Sequence, residues 1–246
     1  MKFRFISTLL VALTVAAATS HANYHVMQIE QVIGSVDGNT NAQAIQLRMR
    51  SGGQSVLGNC KIWVADATGA NRILLVDPTT SVTNAGVGVN ILLASTAFNA
   101  LMAGVPLYAS EFTLAATIPT SYFAGGKITF EDNAGTVATQ GAVQWSLAFG
   151  NFTGSNTGVT TNTTGATGNF GTPFAGAIPA TGRQAIRTNL AAASLSTGNS
   201  ADYAINSPAT VRNNAGNTFA VVPEPASVAL LAAGALGLLG FARRRS

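Results

Sequence analysis

In Ile45-Gln46-Leu47-Arg48-Met49-Arg50 every second residue is apolar, a period that suits an extended strand and no helix. Ile45, Leu47 and Met49 are therefore expected on one face of a sheet and the two arginines on the other. Val143-Gln144-Trp145-Ser146-Leu147 repeats the pattern. Further short apolar runs, at 60–65, 73–76, 89–94, 112–115 and 128–131, are strand candidates of four to six residues. Between them lie Asp37-Gly38-Asn39, Ser51-Gly52-Gly53, Ala67-Thr68-Gly69, Asp77-Pro78 and Gly125-Gly126, all residues that reverse a chain cheaply. The weakest helix candidate is 96–103, expected as a single turn between strands. Short strands alternating with such turns predict an all-β fold, a β-sandwich rather than an α/β layer structure.

Both ends of the chain have a different character. Residues 1–22 begin with Lys2 and Arg4, continue through an apolar stretch at 5–18, and leave through Thr19-Ser20-His21-Ala22. Small side chains at Ser20 and Ala22 suit signal peptidase recognition, so 1–22 is expected to be a signal peptide cleaved before Asn23. The apolar stretch is shorter than the ~20 residues a spanning helix requires. At the other end, Val222-Pro223-Glu224-Pro225 precedes a run without charge at 226–242, followed by Arg243, Arg244 and Arg245. Rising ~1.5 Å per residue, a helix over that run would reach about 25 Å, close to the hydrocarbon thickness of a bilayer. The three arginines would snorkel and form a cytoplasmic stop, which places Pro223, Glu224 and Pro225 outside. The two prolines also prevent the helix from extending backward, leaving an extended segment that a protease can grip.

This order of Pro-Glu-Pro, a Gly/Ala/Leu-rich apolar run and a basic cluster resembles the PEP-CTERM sorting signal. The resemblance covers 222–246 and implies processing by an exosortase, a membrane-embedded cysteine protease of bacteria that make extracellular polysaccharide. A tail anchor that stays in place is the alternative. The implied organisation is a signal peptide (1–22), a β-sandwich domain (23–221) and a sorting signal (222–246) with a transmembrane helix over 226–242. Signal peptidase, exosortase and, transiently, the membrane are the partners expected during export.

The formal net charge of +4 comes from the two ends. Five of the thirteen basic residues and one of the nine acidic residues lie in 1–22 and 222–246, so the segment between has eight of each. A balanced segment offers no basic footprint for a phosphate backbone, and no nucleic-acid partner is expected. Cys60 is the only cysteine, which excludes an internal disulfide and thiolate clusters; it is expected as a small buried strand residue. From Gly150 to Thr172, nineteen of twenty-three residues are Gly, Ser, Thr or Asn, and no Asp, Glu, Lys or Arg occurs between Asp132 and Arg183. With so little apolar surface to offset ordering entropy, 150–180 is expected to be a long flexible loop anchored by Phe152, Phe170 and Phe174.

Reactive chemistry is sparse. His25 alone survives signal removal, and a single His with a single Cys cannot complete the usual zinc or triad sets. There is no phosphate-cradling or nucleophile-elbow motif, and no cofactor is expected. Asp37-Gly38-Asn39-Thr40-Asn41 starts like a calcium loop, but Arg48 stands at its twelfth place, and a plain turn is the simpler reading. Glu131 and Asp132 are adjacent, so a strand would send them to opposite faces rather than pair them across a glycosidic bond. Asn151-Phe152-Thr153 and Asn162-Thr163-Thr164 match the glycan acceptor pattern, a match that is usually accidental in a bacterium. Trp63 and Tyr108 are candidates for a sugar-stacking surface, with Trp63 the candidate ligand contact; burial against a second layer is the competing reading.

A second, weaker resemblance covers much of 40–217. Ala44-Ile45-Gln46-Leu47, Ile62-Trp63-Val64-Ala65-Asp66 with Thr68-Gly69, and Ile91-Leu92-Leu93-Ala94-Ser95 resemble the opening strands of lamin-tail-type immunoglobulin-like domains. Ser200-Ala201-Asp202-Tyr203, Pro208 and Arg212-Asn213-Asn214-Ala215-Gly216 are similar to their closing segment. Gln46 departs from the acidic residue often found there, and 150–180 is longer and richer in glycine than the pattern. The resemblance implies an immunoglobulin-like β-sandwich without catalytic residues. The function expected from all this is an exported, non-enzymatic cell-surface or extracellular-matrix protein of structural or adhesive type. A polysaccharide-binding module and a secreted carboxylate hydrolase using Glu131 or Asp132 are the alternatives.

Overall fold

The alternation at 44–49 is realised as a strand whose apolar side chains are completely buried. The computed structural model describes residues 24–158 and 168–221. The expected signal peptide with Ser20 and Ala22, the Pro223-Glu224-Pro225 motif, the helix expected over 226–242 and Arg243, Arg244 and Arg245 all lie outside the described residues. Within them the elements run β1 (Met27–Ile33), β2 (Ala44–Met49), β3 (Cys60–Ala65), β4 (Arg72–Val76), β5 (Asn90–Ala94), α1 (Thr96–Met102), β6 (Phe112–Thr113) and β7 (Gly125–Asp132). They continue with β8 (Val143–Gly150), β9 (Ala185–Thr188), α2 (Asn199–Asp202), β10 (Tyr203–Asn206), β11 (Thr210–Arg212) and β12 (Thr218–Ala220). The fold is predominantly β, as the period of two predicts. Among the described residues, no helix is long and apolar enough to cross a membrane.

A six-stranded sheet has the order β10-β9-β1-β2-β5-β6, a four-stranded sheet the order β4-β3-β7-β8, and β11 pairs with β12 in a separate hairpin. Ile29, Ile45, Leu47 and Leu93 of the larger sheet share one core with Ile62, Val64, Phe130 and Trp145 of the smaller one. The opposite face of the larger sheet is covered as well: Leu92 and Ala94 pack with Phe98 and Met102 of α1 and with Val211 and Phe219 of the hairpin. Ser95 starts α1, its Oγ accepting the Phe98 N–H at 3.1 Å and donating to the Asn41 carbonyl at 2.6 Å.

Two irregularities set the outer surface. A bulge in β1 shifts the register with β2 between Ile29 and Gln31. It places Glu30 and Gln31 together on the face away from the main core, where Glu30 meets Arg48 at 3.4 Å and Arg187 at 3.2 Å. The run expected as a strand at 112–115 is paired only over Phe112–Thr113, in parallel with β5. Beyond that point, the Ala115 N–H crosses to the Leu75 carbonyl of the other sheet at 2.7 Å.

Arg50 departs from its expected place. The strand ends at Met49, so the Arg50 guanidinium turns over the Trp145 ring, 5.1 Å from its centroid, and its Nε donates to the Ser194 carbonyl at 2.7 Å. Where it is described, the 150–180 segment is held at several points. Phe152 and Phe170 are buried and Phe174 is partly so, which fits their expected role as anchors. Asn156 adds a polar anchor: its Nδ2 donates to the Gly171 carbonyl at 3.0 Å and its Oδ1 accepts from Ser146 Oγ at 2.6 Å. Residues 159–167, including Asn162, lie outside the described residues.

Candidate functional site

Trp63 and Glu131 are brought to the outer side of the four-stranded sheet by the register of β3 and β7, which pairs Trp63 with Thr129 and Lys61 with Glu131. The loop at 133–142 folds back over this face. Glycine at 135 permits its close approach: a Cβ there would fall 2.6 Å from Glu131 Oε2 and 3.1 Å from Trp63 Nε1. Trp63 is in consequence 3% exposed, and the Arg72 guanidinium covers its ring at 4.5 Å from the centroid. Alternation placed Trp63 on the outer face, but that face is roofed, so Trp63 has no surface on which a sugar can stack. Tyr108 lies elsewhere, edge-on to Phe219 in the cluster beneath α1 and the hairpin. The proposed two-aromatic platform is therefore not formed.

Glu131 is fully buried and held by four hydrogen bonds from three residues. Arg72 Nη2 donates to both carboxylate oxygens, at 2.7 and 2.6 Å, Thr129 Oγ1 donates at 2.5 Å, and the Gly141 N–H donates at 2.8 Å. Asp132 points the other way, its Oδ1 accepting the Ala134 and Ala142 N–H groups at 3.1 and 3.0 Å. The two carboxylates fasten the roofing loop at its two ends, and neither is presented to an open cleft. Lys127 completes the cluster, donating to the Ser155 carbonyl at 2.8 Å and to Gln140 Oε1 at 3.2 Å. Burial pulls its ammonium below the usual lysine range, an effect the nearby Glu131 charge opposes.

The other candidates resolve into structural roles. Asp37 and Gly38 both have positive φ, 49° and 88°, and Val36 and Asn39 exchange backbone hydrogen bonds across them. This is a tight two-residue hairpin tip, and Arg183 Nε binds Asp37 Oδ2 at 3.0 Å where a calcium ion would be needed. Cys60 is buried, donating its Sγ–H to the Leu57 carbonyl at 3.0 Å, and burial pushes its thiol pKa well up. His25 stacks against Tyr24, ring centroids 4.2 Å apart. Among the described residues, no three His, Cys, Asp or Glu are grouped to hold a metal ion.

One feature had no clear signal in the sequence. Glu111, at the start of β6, accepts the Leu92 N–H on one carboxylate oxygen and the Asn214 N–H on the other, both at 2.7 Å. Burial raises its pKa above the ordinary glutamate value, and these backbone donors partly offset that. It lines an open cavity of about 440 Å³ together with the hydroxyl-bearing 80–84 loop and the β11–β12 turn.

A comparison with curated proteins finds no match. Residues 221–246 match the PEP-CTERM protein-sorting motif. That motif marks the chain as an extracellular protein sorted by an exosortase.

Proposed function

We propose that residues 24–221 form an immunoglobulin-like β-sandwich of lamin-tail type that serves, after exosortase cleavage, as a non-catalytic structural or adhesive protein of the cell surface or extracellular matrix. The match of 221–246 to the sorting motif carries this reading, because it accounts for delivery outside the cell. The shared core of the two sheets supports the sandwich. The non-catalytic role is supported by the engagement of Glu131, Asp132 and Glu30 in ion pairs or hydrogen bonds that hold the fold together.

On this reading, 226–242 tethers the chain in the membrane until the segment around Pro223, Glu224 and Pro225 is cut. Cell fractionation with and without exosortase tests it. The wild-type chain is expected outside the cell when the exosortase is present and in the membrane fraction when it is deleted. Release of equal amounts in both strains, or in a Glu224→Ala variant, would contradict the proposal.

A further inference from the structure

The cavity beside Glu111 is rigidly built. Asn214, 6% exposed, joins its walls: its N–H binds Glu111 Oε1, and its Nδ2 donates to the Asn84 and Asn90 carbonyls at 3.0 and 3.2 Å. Asn84 returns the contact, donating from its N–H to Asn214 Oδ1 at 2.8 Å and from Nδ2 to the Asn214 carbonyl at 2.7 Å. Walls fixed in this way leave little ordering cost for a ligand to meet. The volume, about 440 Å³, falls within the ~300–1,000 Å³ common for small-molecule sites.

The lining selects the ligand class. Thr80, Ser81 and Thr83 are exposed, and their hydroxyls have no hydrogen-bond partner among the described residues. Each Glu111 oxygen accepts one backbone N–H and keeps a second lone pair for another donor. Phe112 supplies an apolar patch beside them. No basic residue lines the cavity and its one charge is a carboxylate, so anionic ligands are repelled. A purely apolar ligand would strip water from the hydroxyls and the carboxylate without replacing it. A neutral ring with several hydroxyls and one C–H face satisfies all three surfaces.

We infer that this cavity binds a neutral sugar unit of a polysaccharide, with Glu111, Thr83 and Asn84 taking its hydroxyls and Phe112 its C–H face. Glu111 is the only carboxylate in the lining, so the acid and base pair of a glycosidase is missing and the site binds without cleaving. The inference rests on the extracellular placement proposed above, but fails separately from it, because changes in the cavity leave the sorting segment untouched.

The test is affinity electrophoresis of the exported protein through gels containing a neutral glucan, galactan or mannan, with polygalacturonate as the anionic comparison. Two variants are run beside the wild type: Glu111→Gln, and Thr83→Trp, which fills the cavity from an exposed position and breaks no internal bond. Thermal melting identifies variants that keep the native fold. Retardation by at least one neutral polysaccharide is expected, with the apparent Kd rising about tenfold or more in a natively folded variant, as loss of a charge-assisted hydrogen bond implies. The inference is overturned by absence of retardation in all three neutral gels, by stronger retardation in polygalacturonate, or by an unchanged Kd in natively folded Thr83→Trp. Normal export alongside any of those results would leave the delivery reading standing.

Discussion

Removing one oxygen atom, in Tyr203→Phe, is expected to cost more stability than most surface substitutions in this chain. The Tyr203 hydroxyl is buried between the sheets, donates to the Ile29 carbonyl at 2.6 Å and accepts the Trp145 Nε1–H at 2.8 Å. Ile29 adjoins the β1 bulge and Trp145 lies on β8, so a single hydroxyl ties the larger sheet to the smaller one. Phenylalanine fills the same volume, which removes any cavity contribution from the comparison. What remains is a buried indole N–H without a partner, worth about 1–3 kcal/mol, and the lost bond to Ile29, worth about 1 kcal/mol. The sum of about 2–4 kcal/mol corresponds to a fall in Tm of roughly 5–15 °C for a domain of this size. Urea unfolding followed by tryptophan fluorescence and near-ultraviolet circular dichroism measures it. Tyr122→Phe is the internal control, since that hydroxyl makes one solvent-exposed bond, to the Asn71 carbonyl at 3.2 Å, and should change stability by less than about 0.5 kcal/mol. Equal, small effects of the two substitutions would refute the reasoning, because burial of the Tyr203 network would then carry no energetic consequence.

Glu131→Gln should destabilise the fold by about 3–5 kcal/mol, because Arg72 would keep a buried charge without its counterion; a loss under about 1 kcal/mol in the same urea assay would show that Arg72 escapes to solvent. Asp66 is held down to about 2, foremost by the Thr68 hydroxyl and then by the Asn71 amide and the Ala70 and Thr68 N–H groups. Its pKa is depressed on folding, so the turn at 66–71 keeps its stabilisation above the unfolded value near 4 and loses it as pH falls through about 2. An NMR titration should show that midpoint, and Thr68→Ala should return it toward 4; an ordinary midpoint in the wild type would contradict the bonding pattern. Cys60 should resist Ellman's reagent in the native protein and react fully in denaturant, whereas rapid native labelling would place the thiol at the surface.

The strands legible from sequence were those in which alternation runs unbroken. β2, β3 and β8 announce themselves because Ile45, Leu47 and Met49, or Val143, Trp145 and Leu147, face one core without interruption. β1 did not, because the bulge moves the inward phase from Ile29 to Val32 and leaves Glu30 and Gln31 side by side on the outer face. β9 to β12 have three or four residues each, too few for a period to emerge, and β9 is completed by β1, a strand from the far end of the domain. The site suffered from a different gap. Alternation correctly assigns Trp63 to the face away from the core, but only the return of the 133–142 loop decides whether that face meets water. The Glu111 cavity was invisible for a related reason: its walls come from positions 80–84, 111–112 and 214–215, which no local pattern connects.

Intact-mass analysis of the protein recovered outside the cell bears most directly on exosortase sorting. A chain starting at Asn23 and ending near Pro225 is expected, with the 226–242 run and its three arginines removed. Extracellular protein that retains residues 226–246, or a full-length chain confined to the cytosol, would contradict it.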